Sequence, residues 1–446
     1  MNFSKNRQEY CPSASKVKKH YPKLLKNSIF LLYTDAKDFV MNAVINIFCF
    51  LIPFPKMRRR LRNNLKNKWQ ANKNNLGRFK RYLTGRPIIL WVDHALGGGT
   101  EVYSKRQFKI LKKDYDVIRL QYFPRTELYH ITMADNKNHI FTTRNMDLIF
   151  DFCTGLGITE IVVNNLVAYK NTLEVLKKIK ELKQQCVGKP SVSFRGHDFQ
   201  AICPSFNLIN CDGKYCAVKY NGGCEECWRR KKLSDDPISH NVLKSGADKI
   251  CVWRQVWGDF FANVADDVIL FSGVIEKIFA GAYPQIKSKV RIIPHSVRLF
   301  RKVNVKPHTD INIAVLGNIS HNKGANVVCE MAKNIPENTN IIVVGTMKGA
   351  PKNITVHGAY KQNRLPQIME KHRIDLVLIP SIWPETFSYT TSEAISMGLA
   401  VACYGIGAPA ERVEQYDKGL VLDKISPDEN LTQIINFVKR LRENAQ

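Results

Sequence analysis

Apolar and polar positions along most of this chain fall into one recurring rhythm. A short apolar run is followed by a loop, and the loop by a stretch with helical spacing. Pro87–Val92 (PIILWV) reads as a buried strand. Gly97, Gly98 and Gly99 follow it, and Thr100–Lys112 then keeps Val102, Phe108, Ile110 and Leu111 on a helix. Tyr115–Phe123, Ile158–Val163 and Val192–Phe194 are further predicted strands. The rhythm restarts after Pro294, with strand Ile311–Leu316, a loop over Gly317–Gly324 and helix Ala325–Lys333. Ile341–Val344, Leu376–Ile379 and Leu399–Cys403 supply more short buried strands, and Asn430–Arg440 a closing amphipathic helix. Such alternation predicts parallel α/β layers. Two series of similar size predict two Rossmann-like domains facing a cleft, with ligands held beyond the carboxyl ends of the strands. The length of 446 residues exceeds one ordinary core and agrees with that division.

The first 85 residues break the rhythm. Phe39–Phe54 is apolar but carries Asn42 and Asn46, meets Pro53, and is shorter than the roughly 18 to 20 residues that span a bilayer. Met57, Leu61, Leu65 and Trp69 then recur every four residues, with Arg58, Arg59, Arg60, Arg62, Lys66 and Lys68 between them. This is the pattern of a basic helix lying in a membrane interface. Charge strengthens that reading. The whole chain has a net charge of +28, and residues 1–86 hold 20 basic residues against 3 acidic ones. No acid occurs from Leu51 to Arg86, which suits a polyanion: lipid headgroups, or nucleic acid. No early apolar run or small-residue cleavage site marks a secretory signal, so a reducing compartment is expected. The expected organisation is a membrane-associating extension over 1–85, a first Rossmann-like domain over 86–296 with a Cys-rich insert at 198–232, a second Rossmann-like domain over 297–426, and a terminal helix over 427–446.

The densest chemistry lies in Leu378–Glu411. A predicted strand ends at Ile379, a loop carries Pro380 and Pro384, and Glu385 precedes Glu393 by eight positions. Glu393 falls near the start of a predicted helix, with Ser392 as its candidate cap. Helix N-termini favour anions, so free N–H groups at Thr390, Thr391 and Ser392 suit a diphosphate. A carboxylate at Glu393 can accept hydrogen bonds from the two hydroxyls of a ribose, and Glu385 then faces the sugar side of the ligand.

The segment PETFSYTTSEAISMG, with Glu385-x7-Glu393, resembles the E-x7-E region of retaining GT-B glycosyltransferases of glycosyltransferase family 4. The resemblance implies that Glu385 lies by the transferred sugar and Glu393 binds the nucleotide ribose. Gly317 through Lys323-Gly324 is similar to the family's diphosphate-holding loop. Lys323 matches its Lys, while Asn318 stands where the family has Arg and brings no charge. Gly97-Gly98-Gly99 is similar to the acceptor-side glycine loop, and His197-Asp198 to the family's HD element beside the reacting sugar. The resemblance also implies retention of configuration. No Asp-x-Asp pair stands in the expected places, so no catalytic metal is expected.

Of 12 cysteines, Cys203, Cys211, Cys216, Cys224 and Cys227 crowd into one short stretch. Cys224-x2-Cys227 is a common half of a zinc site. Cys203 and Cys216 are the choice for the other pair, with Cys211 and His197 in reserve, so structural zinc is expected. Taken together, these features predict an enzyme on the cytoplasmic face of the inner membrane. It would pass a sugar from a nucleotide-sugar donor to a lipid-linked or polysaccharide acceptor in cell-surface glycan synthesis. The alternative is a nucleic-acid-binding zinc protein. Aromatics among the N-terminal cations are few, and Glu385 and Glu393 would go unexplained, so no nucleic-acid partner is expected. A sugar-nucleotide epimerase on the same fold has no specific support.

Overall fold

A computed structural model of the chain describes residues 40, 43–50, 53–55, 57, 58, 61, 62, 65, 76–134, 136–218, 223–231 and 250–444. The chain forms two compact units, 1–86 and 87–446.

The larger unit contains two sheets. The first series runs β1 (Ile88–His94), α1 (Gly98–Leu111), β2 (Asp116–Phe123), β3 (Leu128–Met133), β4 (Asn136–Thr143), α2 (Met146–Thr154), β5 (Ile158–Val163), α3 (Thr172–Gln185) and β6 (Ser191–Arg195). After the insert and its helix α4 (Gly223–Arg230) come α5 (Ile250–Asp259), β7 (Asp267–Leu270), α6 (Gly273–Ala282) and β8 (Val290–Ile292). These eight strands lie in the order β4-β3-β2-β1-β5-β6-β7-β8. All neighbours are parallel except β2–β3 and β3–β4. The all-apolar run at β1 is buried along its whole length, as a central parallel strand covered on both faces must be.

The second series comprises β9 (Ile311–Ile319), α7 (Ala325–Lys333), β10 (Thr339–Met347), β11 (Thr355–Val356), α8 (Leu365–Lys371), β12 (Leu376–Ile379), α9 (Tyr389–Ser396), β13 (Ala400–Tyr404), α10 (Gly407–Val413), β14 (Gly419–Leu422) and α11 (Pro427–Glu443). Its six strands are ordered β11-β10-β9-β12-β13-β14 and are all parallel. One apolar cluster, with Val315, Val328 and Ile434, packs one face of this sheet; another, with Ala314, Met369 and Met397, packs the other.

Two sequence expectations shift. The loop expected over Gly317–Gly324 begins later, because Gly317, Asn318 and Ile319 stay in the ladder opposite Gly345, Thr346 and Met347. Ladder hydrogen bonds come from the backbone, so the strand outlasts its apolar run. The Cys-rich insert is also less separate than an insert at 198–232 implies. Phe199, Ile202, Ile209 and Trp228 are buried, and Ile209 joins the core of the second sheet.

In the smaller unit, residues 43–50 are helical, and Leu76–Lys80 forms a further helix. Val40, Val44, Ile47, Phe48, Phe50, Phe54 and Met57 are all exposed, Phe50 to 72%. Of the stripe expected at Met57, Leu61, Leu65 and Trp69, Met57 is exposed and Leu61 and Leu65 are partly buried. Trp69, Arg59, Arg60, Lys66 and Lys68 lie outside the described residues. Among the described residues the exposed apolar side chains therefore run from Val40 to Met57, the first position of the expected stripe. Among the described residues, no helix is long and apolar enough to cross a membrane.

Candidate active site

The carboxyl ends of β9 and β12 bring Lys323 and Glu385 together. Lys323 Nζ lies 2.7 Å from Glu385 Oε2. Glu385 is buried, and Ser381 Oγ donates to its other oxygen. Burial alone would push this carboxyl up. The Lys323 charge, with hydrogen bonds from Lys323, Ser381 and Ser388, holds it below the usual range instead. Two glycines permit the approach. Gly324 has φ +84°, and a Cβ there would sit 2.0 Å from the Pro380 carbonyl oxygen, so the Lys323 loop can press on the end of β12 only without a side chain. Gly407, at φ +69°, lets α10 close on the Glu385 backbone, where a Cβ would meet its nitrogen at 2.7 Å. Ala408 N–H then donates to the Glu385 carbonyl at 2.8 Å.

Eight residues on, Glu393 is buried in α9 and accepts from the Gln362 amide. Burial raises its pKa, with the Gln362 hydrogen bond and the Arg106 charge acting the other way. The helix begins at Tyr389, with Ser388 in the N-cap position and no side-chain cap bond. The expected cap at Ser392 is thus corrected: Ser392 lies inside the first turn, where its hydroxyl accepts from Arg412. Thr390 and Thr391 keep first-turn N–H groups without intrahelical acceptors, whereas Ser392 is the first position whose N–H can find one. Ser388, in the loop that joins the two acids in sequence, holds φ +87°, strain for a non-glycine residue. Gly317 lies near Thr390, which a Cβ would approach at 3.9 Å. Asn318 is turned to Thr346, whose hydroxyl donates to it at 2.9 Å.

The first sheet contributes the opposite wall. His197 is buried, with Tyr103, Phe271 and His295 rings 4.7 to 5.3 Å away. Its Nε2 pairs with Asn164 Oδ1 at 3.0 Å. The Asn164 amino group donates to Asp93 at 3.0 Å and to Ser104 at 3.1 Å, so its oxygen faces the ring and Nε2 carries the proton. Arg119 anchors Asp93 in turn, at 2.7 Å, and also bonds Glu101. Burial holds His197 well below the usual imidazole range, so the ring is neutral. Asp198 accepts from Asn165 at 2.6 Å and from Gln200 N–H at 2.7 Å, yet burial still raises its pKa to about 6. The two walls touch at a specific bond: Thr386 Oγ1 donates to the His197 carbonyl at 2.8 Å. The glycine loop opens α1 beside α9, since a Cβ on Gly99 would lie 3.4 Å from the Tyr389 ring.

The structure thus brings Lys323, Glu385, Glu393, the start of α9, Gly99 and His197 to one junction between the two sheets. Gly317 borders it through Thr390, while the Asn318 side chain pairs with Thr346. Residues without a sequence signature complete it. Arg412 on α10 donates to the carbonyls of Phe387 at 2.9 Å and Ser388 at 3.2 Å, bracing the strained loop. Gln362, Asn164 and His295, whose Nδ1 pairs with Tyr389 Oη at 2.9 Å, were likewise silent in the sequence. Each is a lone polar residue whose partner is set only by folding.

The insert gathers its thiols without bonding them to each other; all cysteines among the described residues are free. Cys211 N–H donates to Cys227 Sγ at 3.3 Å, and Arg254 reaches Cys224 Sγ at 3.3 Å. Burial raises Cys216, with Cys203 and Cys224 beside it, and raises Cys227 to about 11, with Cys211 and Cys203 near. Among the described residues no group of three or more His, Cys, Asp or Glu is arranged to hold a metal ion.

Residues 296–446 match the family model of glycosyl transferases group 1. The Anabaena protein Alr3699/HepE, solved in complex with UDP, superposes with a TM-score of 0.50 at 13% identity, over 81% of this chain and 91% of that one. Sucrose-phosphate synthase from Thermosynechococcus elongatus gives 0.50 at 15% identity, over 79% and 90%. At these identities the likeness establishes the fold, which is of the GT-B type. No curated protein matches the chain.

Proposed function

We propose that this chain is a glycosyltransferase of the retaining GT-B kind that draws on a nucleotide-sugar donor. One observation carries the reading: buried Glu385, ion-paired with the partly exposed Lys323, stands at the carboxyl ends of parallel strands, eight residues before a second buried acid at a helix N-terminus. That is what an activated sugar needs. Breaking the glycosyl–phosphate bond builds negative charge on the departing diphosphate. The Lys323 ammonium and the free N–H groups at Thr390 and Thr391 oppose that charge where it develops. Glu393 takes the ribose hydroxyls. Glu385 faces the sugar, and a bound diphosphate competes for its Lys323 partner. His197, neutral and fixed by Asn164, offers the sugar a wall without a second positive charge. The match of residues 296–446 and the nucleotide bound by the Anabaena protein support this reading.

The acceptor is a lipid-linked or polysaccharide glycan, and the smaller unit holds the enzyme at an anionic membrane, on the cytoplasmic face. Supporting this are the exposed apolar residues from Val40 to Met57 beside a segment, Leu51 to Arg86, that has no acid. Cys203, Cys216, Cys224 and Cys227 take a structural zinc, a reading supported by the Cys224-x2-Cys227 spacing and the gathered thiols. It requires their side chains to turn to a common point, and about one zinc per chain by metal analysis is the expected outcome.

The test is a panel of nucleotide sugars screened by thermal shift, followed by proton NMR of the product formed from any stabilising donor. A donor that raises the melting temperature with concentration, and a product that keeps the donor's anomeric configuration, are expected. A chain that no nucleotide sugar stabilises or reacts with would overturn the reading. An inverted product would overturn the retaining assignment alone.

A further inference from the structure

The proposed diphosphate subsite has one evident cation from the second sheet. Lys323 is there, Asn318 brings no charge, and Arg412 is engaged elsewhere. Its guanidinium holds the carbonyls of Phe387, Ser388 and Ala408 and the Ser392 hydroxyl. A nucleoside diphosphate carries more negative charge than one ammonium balances, so a second cation is worth seeking.

Arg106 meets the description. It lies on α1, the helix opened by the glycine loop, and is only partly buried. Its guanidinium stands 5.4 Å from the ring centroid of Tyr389, the first residue of α9. One amino group donates to the Ser296 carbonyl, in the connection between the two sheets. Among the described residues, its Nε and other amino group have no hydrogen-bonding acceptor. Its charge acts on Glu393 and Tyr389, both on α9. The two helices open next to each other, and neither N-terminus has a side-chain cap. We propose that Arg106 supplies the second cation for the donor diphosphate, reaching from the first sheet to the N-terminus of α9 in place of the charge that Asn318 lacks. This rests on the nucleotide-sugar reading above.

The grip is then divided. Lys323 comes from one half of the large unit and Arg106 from the other, so a diphosphate joins the halves and a monophosphate has less to bridge. Guanidinium donors match phosphate oxygens in pairs, which an ammonium does not.

Isothermal titration of the full-length chain with UDP and UMP, ADP and AMP, and GDP and GMP tests this, using wild type, Arg106→Ala, Arg106→Lys and Lys323→Ala. Wild type is expected to prefer the diphosphate of one base. Arg106→Ala is expected to weaken that diphosphate about tenfold or more, the size of one charged hydrogen bond, while the monophosphate changes little. Arg106→Lys is expected to restore part of the loss. A diphosphate-to-monophosphate ratio unchanged in Arg106→Ala, with Lys323→Ala collapsing it, overturns the assignment and leaves the donor reading intact. An equal loss for both nucleotides also overturns it, as the mark of a structural role. If no nucleotide binds wild type, the donor reading fails and the assignment with it.

Discussion

At the Lys323–Glu385 pair, removing one partner and removing both are different experiments. A buried carboxylate without its ammonium is left uncompensated, whereas a neutral pair is not. Lys323→Met is therefore expected to lower the melting temperature more than Lys323→Met combined with Glu385→Gln, with a coupling of roughly 0.5–3 kcal/mol in a double-mutant cycle. Because Lys323 is a third exposed, the lower part of that range is expected. His295 gives a pH test. Burial, with the Arg106 and Arg412 charges adding to it, depresses its pKa to about 3, against 6.5 for a free imidazole. Between those values the unfolded chain holds a proton that the folded chain lacks, so stability rises with pH across that window and is lost as pH falls. His295→Phe is expected to flatten the decline in urea-unfolding free energy between pH 6.5 and 4, by on the order of a few kcal/mol at the acid end. An unchanged slope would refute burial as the cause. Lys323, Glu385 and Glu393 were legible in the sequence because the backbone fixes their spacing around a strand end and a helix start. Asn164, Gln362 and Arg412 were not, because a lone polar side chain does not reveal which distant partner it will meet.

Elements carry those residues to their places through close backbone contacts. The Lys323 loop rests on the end of β12 only because Gly324 has no Cβ. Gly324→Ala adds both a clash with the Pro380 carbonyl and an unfavourable positive φ. It is expected to destabilise the fold by about 2 kcal/mol or more and to weaken donor binding further than the melt alone explains. Near-wild-type melting and affinity would show that the contact matters little. Buried strands such as β12 and β1 were plain in the sequence, since continuous apolar runs mark strands covered on both faces. The β3–β4 hairpin was not. Its edge strand, NKNHIFTT, is mostly polar, and an edge needs little apolar surface. Helix α9 was found, but its start was placed four residues too late. Ser388 caps it in a strained conformation that no preference for serine at caps would reveal.

For the molecule as a whole, the two mostly parallel sheets were foreseen from the rhythm of apolar runs, because chain connectivity leaves few ways to layer strand–helix repeats. Less visible was where the smaller unit exposes its apolar surface. Periodicity pointed to Met57, Leu61, Leu65 and Trp69; among the described residues Met57 is exposed, and so are Ile47, Phe48, Phe50 and Phe54 before it. Burying each such side chain is worth about 1.5–3 kcal/mol. Replacing Ile47, Phe48, Phe50 and Phe54 together by Ser is expected to reduce pelleting with phosphatidylglycerol vesicles at least tenfold while leaving donor binding by the larger unit unchanged. Undiminished pelleting would refute the apolar contribution. The wider claim is that the larger unit cleaves an activated sugar at the meeting of Glu385, Lys323 and Glu393. Its most direct test is the rate of nucleoside-diphosphate release from the stabilising donor, compared between wild type and Glu385→Gln at matched folded fraction. Turnover in wild type and a loss of about a hundredfold or more in the variant is the expected result. Near-equal rates in the two proteins would contradict it.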